Sequence, residues 1–266
     1  MERSLKVFLD RHEFKDTAIA LGLPAQRAVT RCVTLPLVDR KKIGEVMQYE
    51  VKQQIPLPSE SIGWDYQVLK MWSADEHAAE AACIADTRVA LLAMKQEEVG
   101  QRSSLLTGRN IKLDVLQSDA AALLNFLMHE RPETIKQDGE EVEPLAWAAL
   151  DIGTDCSNFA ITNGHSIFVR SIPLGGDDFT RALVKRYRLQ PAQAEALKRN
   201  PTRAPLLHEL YDALEPCVNG LLSEIQRSID QYRSAEISST IRQLYVRGGG
   251  LRLHGLLRAI CHRRKN

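Results

Sequence analysis

Between residues 145 and 172 three short apolar segments are separated by two turn signals, and this stretch constrains the fold more than any other. Residues 145–152 and 159–162 flank the polar turn Leu150-Asp151-Ile152-Gly153-Thr154-Asp155-Cys156-Ser157, and residues 166–172 follow the hairpin signal Asn163-Gly164. That pattern predicts a meander of strands. Helical spacing takes over in residues 176–188, 191–199 and 205–234, where Leu210, Leu214, Leu221, Leu222, Ile225 and Ile229 recur at helical intervals and Pro216 predicts a bend. Residues 241–246 return to a strand that ends in Gly248-Gly249-Gly250, and a closing helix is expected over 253–260. Strands interleaved with helices make this an α/β chain.

The first half reads as a smaller α+β unit. Residues 18–23 and 29–35 are strand-like about Leu23-Pro24-Ala25, which predicts a hairpin. Ile43, Val46, Met47, Val51 and Ile55 keep helical spacing until Pro56-Leu57-Pro58 stops it. Further strands are expected at 62–71, 79–85 and 111–116, with a helix from Val89 to about Arg102 and another over 120–129 capped by Ser118 or Asp119. Residues 131–143, with Asp138-Gly139 and Glu140-Glu141, form the best linker in the chain. The expected division is 1–143 and 144–266, with an inserted unit at about 31–116.

Composition excludes several classes. With 35 Lys+Arg against 34 Asp+Glu the formal charge is +1, so no overall field favours nucleic acid or membrane adsorption. The 5 cysteines have no C-x-x-C pair, and the 7 histidines have no paired metal spacing; the thiols are expected to be reduced. No apolar run reaches the roughly 18 to 20 residues that span a bilayer, and the first residues lack a signal-peptide core. Direct membrane insertion and nucleic-acid binding are therefore not expected.

Three segments can carry chemistry. The Asp151-Ile152-Gly153 turn can present backbone N–H groups and the hydroxyls of Thr154 and Ser157 to phosphate, while the Asp151 carboxylate can hold a hydrated divalent cation. Gly248, Gly249 and Gly250 let the backbone approach a planar ligand closely ahead of a helix N-terminus. Gly175-Gly176-Asp177-Asp178 starts a helix, and there the two acids are read as ordinary first-turn residues that complement the helix dipole. Each segment is also an ordinary turn; their order is what gives them weight.

That order resembles the second lobe of the actin, sugar-kinase and heat-shock chaperone superfold, also called ribonuclease H-like. The closer resemblance is to the PilM family of type IV pilus assembly proteins, a set of actin-like ATPases. It is carried by Asp151-Ile152-Gly153, Arg170, Ile172-Pro173-Leu174-Gly175-Gly176, Thr180, Ala194-Glu195 and Leu197-Lys198, then by residues 224–232 and Gly248-Gly249-Gly250 with Leu253 and Gly255-Leu256. The first half agrees through Thr34-Leu35-Pro36, Tyr49-Glu50, Ile55-Pro56-Leu57-Pro58 and Trp64-Asp65-Tyr66-Gln67-Val68. The resemblance implies a two-lobed actin-like fold with an inserted α+β subdomain. It also implies ATP with Mg at Asp151, Gly153, Thr154, Ser157, Gly175 and Gly176 for the phosphates and metal, and at Gly248, Gly249 and Gly250 for adenosine. Glu195 and Lys198 would face the nucleotide, although an exposed helical face explains that pair nearly as well.

The implied role is a cytoplasmic scaffold at the inner-membrane pilus platform. Such a protein captures the short cytoplasmic tail of a PilN-like membrane protein in a groove beside the inserted unit, and it can meet other platform proteins or itself. Two departures shape the expectation for ATP. No Asp-x-Gly hairpin precedes Asp16, and the chain ends soon after the triple glycine, so it reads as shortened at both ends, a weak ATPase at most. The rivals are an FtsA-like filament protein, for which residues 259–266 are too short and charged an anchor, and a small-molecule kinase, for which no general base is identifiable.

Overall fold

The protein is described from a computed structural model, which covers residues 2–12, 14, 17–36, 38–69, 87–109, 111–130, 145–234 and 239–263. The expected strand at 79–85 and the linker at 131–143 fall outside the described residues.

The meander forms as the turn signals require. Strands β6 (Ala146–Ile152), β7 (Ser157–Thr162) and β8 (Ile167–Ile172) pair antiparallel in succession, and β9 (Ile241–Arg247) adds to the free side of β6 in parallel, giving the order β8-β7-β6-β9. Alternate residues of β6 serve two cores. Ala146, Ala148, Leu150 and Ile152 face the helices α5 (Gly176–Tyr187), α7 (Leu207–Arg233) and α8 (Leu256–Arg263), where Phe159, Phe179, Leu183, Leu214 and Leu221 are buried with them. Trp147 and Ala149 face the other way, onto Leu123, Leu124 and Leu127 of α4 (Asp119–Glu130). A strand buried on both faces, with each large side chain worth about 1.5–3 kcal/mol of transfer energy, is pinned in register, because a slip of one residue would exchange the two cores. The helix α6 (Pro191–Arg199) packs on α5. α7 runs through Pro216 without a break, although the ring removes one ladder hydrogen bond.

The first half contains two further sheets. Strands β1 (Ala20–Leu23) and β5 (Val115–Ser118) pair in parallel, and β2 (Ala28–Thr34), β4 (Arg88–Lys95) and β3 (Ile62–Val68) form an antiparallel sheet in the order β2-β4-β3. Helix α2 (Ile43–Gln54) lays Ile43, Met47 and Val51, one face at four-residue spacing, onto Val33, Val89, Leu91 and Ala93. Helix α3 (Gln96–Thr107) follows β4, and α1 (Glu2–Arg11) opens the chain with Val7 and Phe8 exposed.

Two expectations are corrected. The hairpin about Pro24 does not form, because a short 3₁₀ turn at Ala25–Arg27 carries the chain away, so that β1 pairs with β5 while β2 joins a different sheet. The helix expected from Val89 is a strand up to Lys95 and a helix only from Gln96. β4 is the central strand with both faces covered, so it reads as a continuous apolar run, which periodicity alone does not separate from a buried helix. Of the two cap residues weighed for α4, Ser118 does the work: its Oγ accepts from the Ala121 N–H at 3.1 Å. Among the described cysteines, Cys32, Cys156, Cys217 and Cys261 are free thiols.

Candidate functional site

Parallel pairing of β6 with β9 brings the two glycine turns together, because Asp151 stands opposite Arg247 and both strands end at the same edge. Gly248 follows with φ +104, a conformation that side chains other than glycine rarely adopt. A Cβ there would also overlap the Ile152 carbonyl and lie 2.6 Å from Asp151 Oδ1. The Asp151 carboxylate pairs with Arg247 Nε at 3.4 Å, a bond of small value because the arginine is largely exposed.

The Asp-x-Gly turn is strapped to the start of α5. The Gly176 N–H donates to the Gly153 carbonyl at 2.9 Å and the Asp177 N–H to the Thr154 carbonyl at 2.9 Å. Gly175 sits so close under Thr154 that a Cβ would overlap that residue's backbone. Asp178 accepts from the Gly175 N–H at 2.8 Å and pairs with Arg181, which matches the ordinary first-turn role expected for it. Ser157 is corrected. It is fully buried and donates its hydroxyl to the Leu174 carbonyl at 2.7 Å, so it ties β7 to the α5 approach and is not among the residues lining the adjoining cleft.

Beside these turns lies a cleft of 450 Å³, within the usual range for small-molecule sites. Gly153, Thr154 and Gly176 form one wall, Glu195 and Lys198 a second, and Gly249 and Gly250 a third. Asp151, Gly175 and Gly248 are not among the lining residues. Lys198 Nζ donates to the Gly176 carbonyl at 2.9 Å and to Thr180 Oγ1 at 2.8 Å, and pairs with Glu195 Oε2 at 2.6 Å. Glu195 also accepts from Thr180 Oγ1 and from Arg199 Nε. Burial pushes the Glu195 carboxyl up, but the hydrogen bonds from Lys198, Thr180 and Arg199 outweigh it and hold the group down at about 2. The pair is therefore more than a solvated helix face: it braces α6 against α5.

A second cavity lies in the first half. Its volume is 420 Å³, and it runs between the β3–β4 sheet on one side and α4 with β5 on the other. Its lining is apolar through Leu92, Met94, Leu116, Leu124 and Met128, with Asp65 the one charged side chain among the lining residues.

The sequence profile of the family described as type IV pilus assembly protein PilM matches residues 2–265. This chain belongs to the PilM family. Among solved structures, a chain of the "PilM-PilN type IV pilus biogenesis complex" is 23% identical with a TM-score of 0.75, over 98% of this chain and 72% of that one. The PilM-family fold is thereby shared across nearly every described residue, and it is the actin-like α/β architecture that the order of elements implied. Two lower-scoring likenesses are to the ethanolamine utilization protein EutJ from Carboxydothermus hydrogenoformans (17% identity, 63% and 53% coverage, TM-score 0.45) and to MreB 5 of Spiroplasma citri bound to AMPPNP (15%, 65% and 59%, 0.47).

Within this PilM-family chain several residues at the two cavities carry no sequence signal. Arg199 and Arg252 add positive charge to the cleft lining, and each follows a recognised segment by one or two residues, which is the only hint available. Asp119, at the first turn of α4, was weighed only as a cap. Burial lifts its carboxyl, an Ala25 N–H bond opposes this, and the Asp151 charge raises it further. Among the described residues no helix is long and apolar enough to cross a membrane, and no His/Cys/Asp/Glu group is arranged as a metal site.

Proposed function

We propose that this chain is a cytoplasmic scaffold of the type IV pilus inner-membrane platform, held at the membrane by capturing the cytoplasmic tail of a PilN-like protein. The observation that carries the reading is the apolar groove between the β3–β4 sheet and α4, which has the size and lining for a short apolar peptide. Membership of the family supports the pilus role, and the solved PilM-PilN complex names the partner class. The division into lobes at 143/144, with an inserted unit near 31–116, belongs to the same proposal. Its support is that the α2 cluster and the α5–α7 cluster are separate cores, bridged by α4. The test is calorimetry of the whole chain with a synthetic peptide of a PilN N-terminal tail. Ala121 lines the groove from α4, so Ala121→Arg fills it with a good helix former. Affinity should fall at least about tenfold, a loss of about 1.4 kcal/mol. Unchanged affinity would place the tail elsewhere.

A second reading concerns the cleft, and here too the support is geometric. The lining suits a nucleotide: exposed backbone at Thr154 for phosphate, open backbone at Gly249 for adenosine, and the cations Lys198, Arg199 and Arg252 for charge. Asp151 would hold hydrated Mg, and the metal would supply charge neutralisation at the phosphates. Glu195 and Lys198 are committed to each other and to Thr180, so in this reading they shape the site and Lys198 offers field more than a free donor. Among the described residues the phosphate contacts come from the second half of the chain alone. Hydrolysis depends on gripping the γ-phosphate from both sides, so tight binding and useful turnover are not expected of these residues by themselves.

A further inference from the structure

The groove is lined by consecutive residues of its strands. Five consecutive residues of β3, Gly63 to Gln67, all line it. Consecutive residues of a strand point to opposite faces, so a cavity resting on one face would take every second residue. Gly63, Asp65 and Gln67 share the face of Met94, Leu92 and Ala90, their partners on β4, and that face forms the groove wall. Trp64 and Tyr66 send their rings the other way, into the cluster under α2, stacked with centroids 6.3 Å apart. Ala93 of the central strand β4 also lines the groove from the opposite face, so what such residues bring to it is main chain.

The outer edge of β3 is open. β3 is the outer strand of its sheet, and no described strand pairs with its far side. The register shows which groups face outward. Leu69 donates its N–H to the Arg88 carbonyl at 2.9 Å, so in this antiparallel pair the odd-numbered residues of β3 bond to β4 and the even-numbered ones turn N–H and C=O away. The Tyr66 N–H agrees: it donates to Asp65 Oδ1 at 2.8 Å, where a neighbouring strand's carbonyl would otherwise sit. An exposed edge next to an apolar wall invites pairing with any extended chain, and an acidic side chain folded over it is a usual form of protection.

We infer that the groove is read by strand addition. The partner's tail lies extended along β3, takes the outward main-chain groups of Trp64 and Tyr66, and displaces the Asp65 carboxylate from the Tyr66 N–H. This rests on the groove being the site for a PilN-like tail. The occupant it selects is an extended segment with apolar side chains at alternate positions, directed into the groove toward Leu124 and Met128 of α4. Once displaced, Asp65 is the lone charge in the lining, so a Lys or Arg beside the apolar positions is favoured and an acidic residue there is rejected.

The experiment uses the whole chain and a PilN N-terminal tail peptide methylated at one backbone nitrogen at a time. Strand addition makes every second amide of the docked stretch a donor to β3, so affinity should fall about tenfold or more at alternate positions and change little between them. The Tyr66 amide should gain protection from hydrogen exchange when the unmodified peptide binds. A companion peptide with an acidic residue at the position nearest Asp65 should bind weakly to the native chain and recover about tenfold on Asp65→Asn, which keeps an acceptor oxygen and removes the charge. Binding of the unmodified peptide without two-residue alternation would overturn strand addition and leave the groove reading standing. Failure of the unmodified peptide to bind would overturn the groove reading, and this inference with it.

Discussion

The cleft and the groove are built by opposite means. Around the cleft, polar groups answer one another: Lys198 is spent on Gly176, Thr180 and Glu195, and the first N–H groups of α5 are taken by Gly153 and Thr154. Along the groove, the outward main-chain groups of β3 have no neighbouring strand among the described residues, and one is covered by a local carboxylate. A network closed on itself fixes shape before any ligand arrives, whereas an open edge leaves bonding capacity for a partner. Under the proposed function, the difference assigns rigidity to the second half of the chain and partner capture to the first.

The sharpest way to break that assignment is to hollow each core in turn. Phe179 is fully buried beneath the cleft and Met47 fully buried beneath the sheet that carries β3. Phe179→Ala should cost about 4 kcal/mol and Met47→Ala about 3 kcal/mol, because cavity and transfer terms add in a core that cannot collapse fully. Urea titration followed by Trp64 and Trp147 fluorescence measures both. If the halves are separate units, Phe179→Ala should leave tail-peptide binding detectable below its unfolding midpoint, and Met47→Ala should abolish it. Equal loss of peptide binding in both variants would mean that the two cores unfold as one.

Legibility in the sequence follows the same line. The cleft could be read in advance because its parts are backbone geometry: Asp-x-Gly, Gly-Gly and Gly-Gly-Gly report turns that only particular residues can make, and β6–β9 pairing then joins them. The lining of the groove could not, since Leu92, Leu124 and Met128 look like any core residues, and nothing in Asp65 or Tyr66 announces an edge until strand order is known. β4 was misread because a strand covered on both faces lacks alternation. Ser157 was misassigned for a different reason: a hydroxyl after a phosphate-type turn looks the same in sequence whether it faces the cleft or the Leu174 carbonyl.

That reassignment gives the next effect in size. Ser157→Ala removes a buried donor and leaves the Leu174 carbonyl unsatisfied, at a cost of about 1–2 kcal/mol. Mg-ATP affinity, if measurable, should stay within about twofold, because the hydroxyl points into the protein. Thermal melts and calorimetry on the same variant separate the two. A loss of nucleotide affinity with unchanged stability would return Ser157 to the cleft.

The smallest effect is a pH dependence, and it tests whether the cleft is as self-contained as its bonding implies. Glu195 is held at about 2 in the folded protein against an ordinary value of 4.5. A carboxyl with a depressed folded value stabilises fully above its unfolded value and loses that contribution as pH falls through the folded one. The contribution should therefore be complete above pH 4.5 and fade from there down towards pH 2. Glu195→Gln keeps an acceptor for Thr180 and Lys198 but cannot titrate, so it should melt a few degrees lower near pH 7. Its deficit relative to the native chain should shrink steadily below pH 4.5. Comparing the two proteins cancels the other carboxylates, which titrate in both. With Glu195 about one-third exposed, solvent screens the pair, and the difference is expected to be small and to shrink further in high salt. A deficit that stays constant from pH 7 to pH 3 would mean that the Glu195–Lys198 pair of α6 contributes shape without charge.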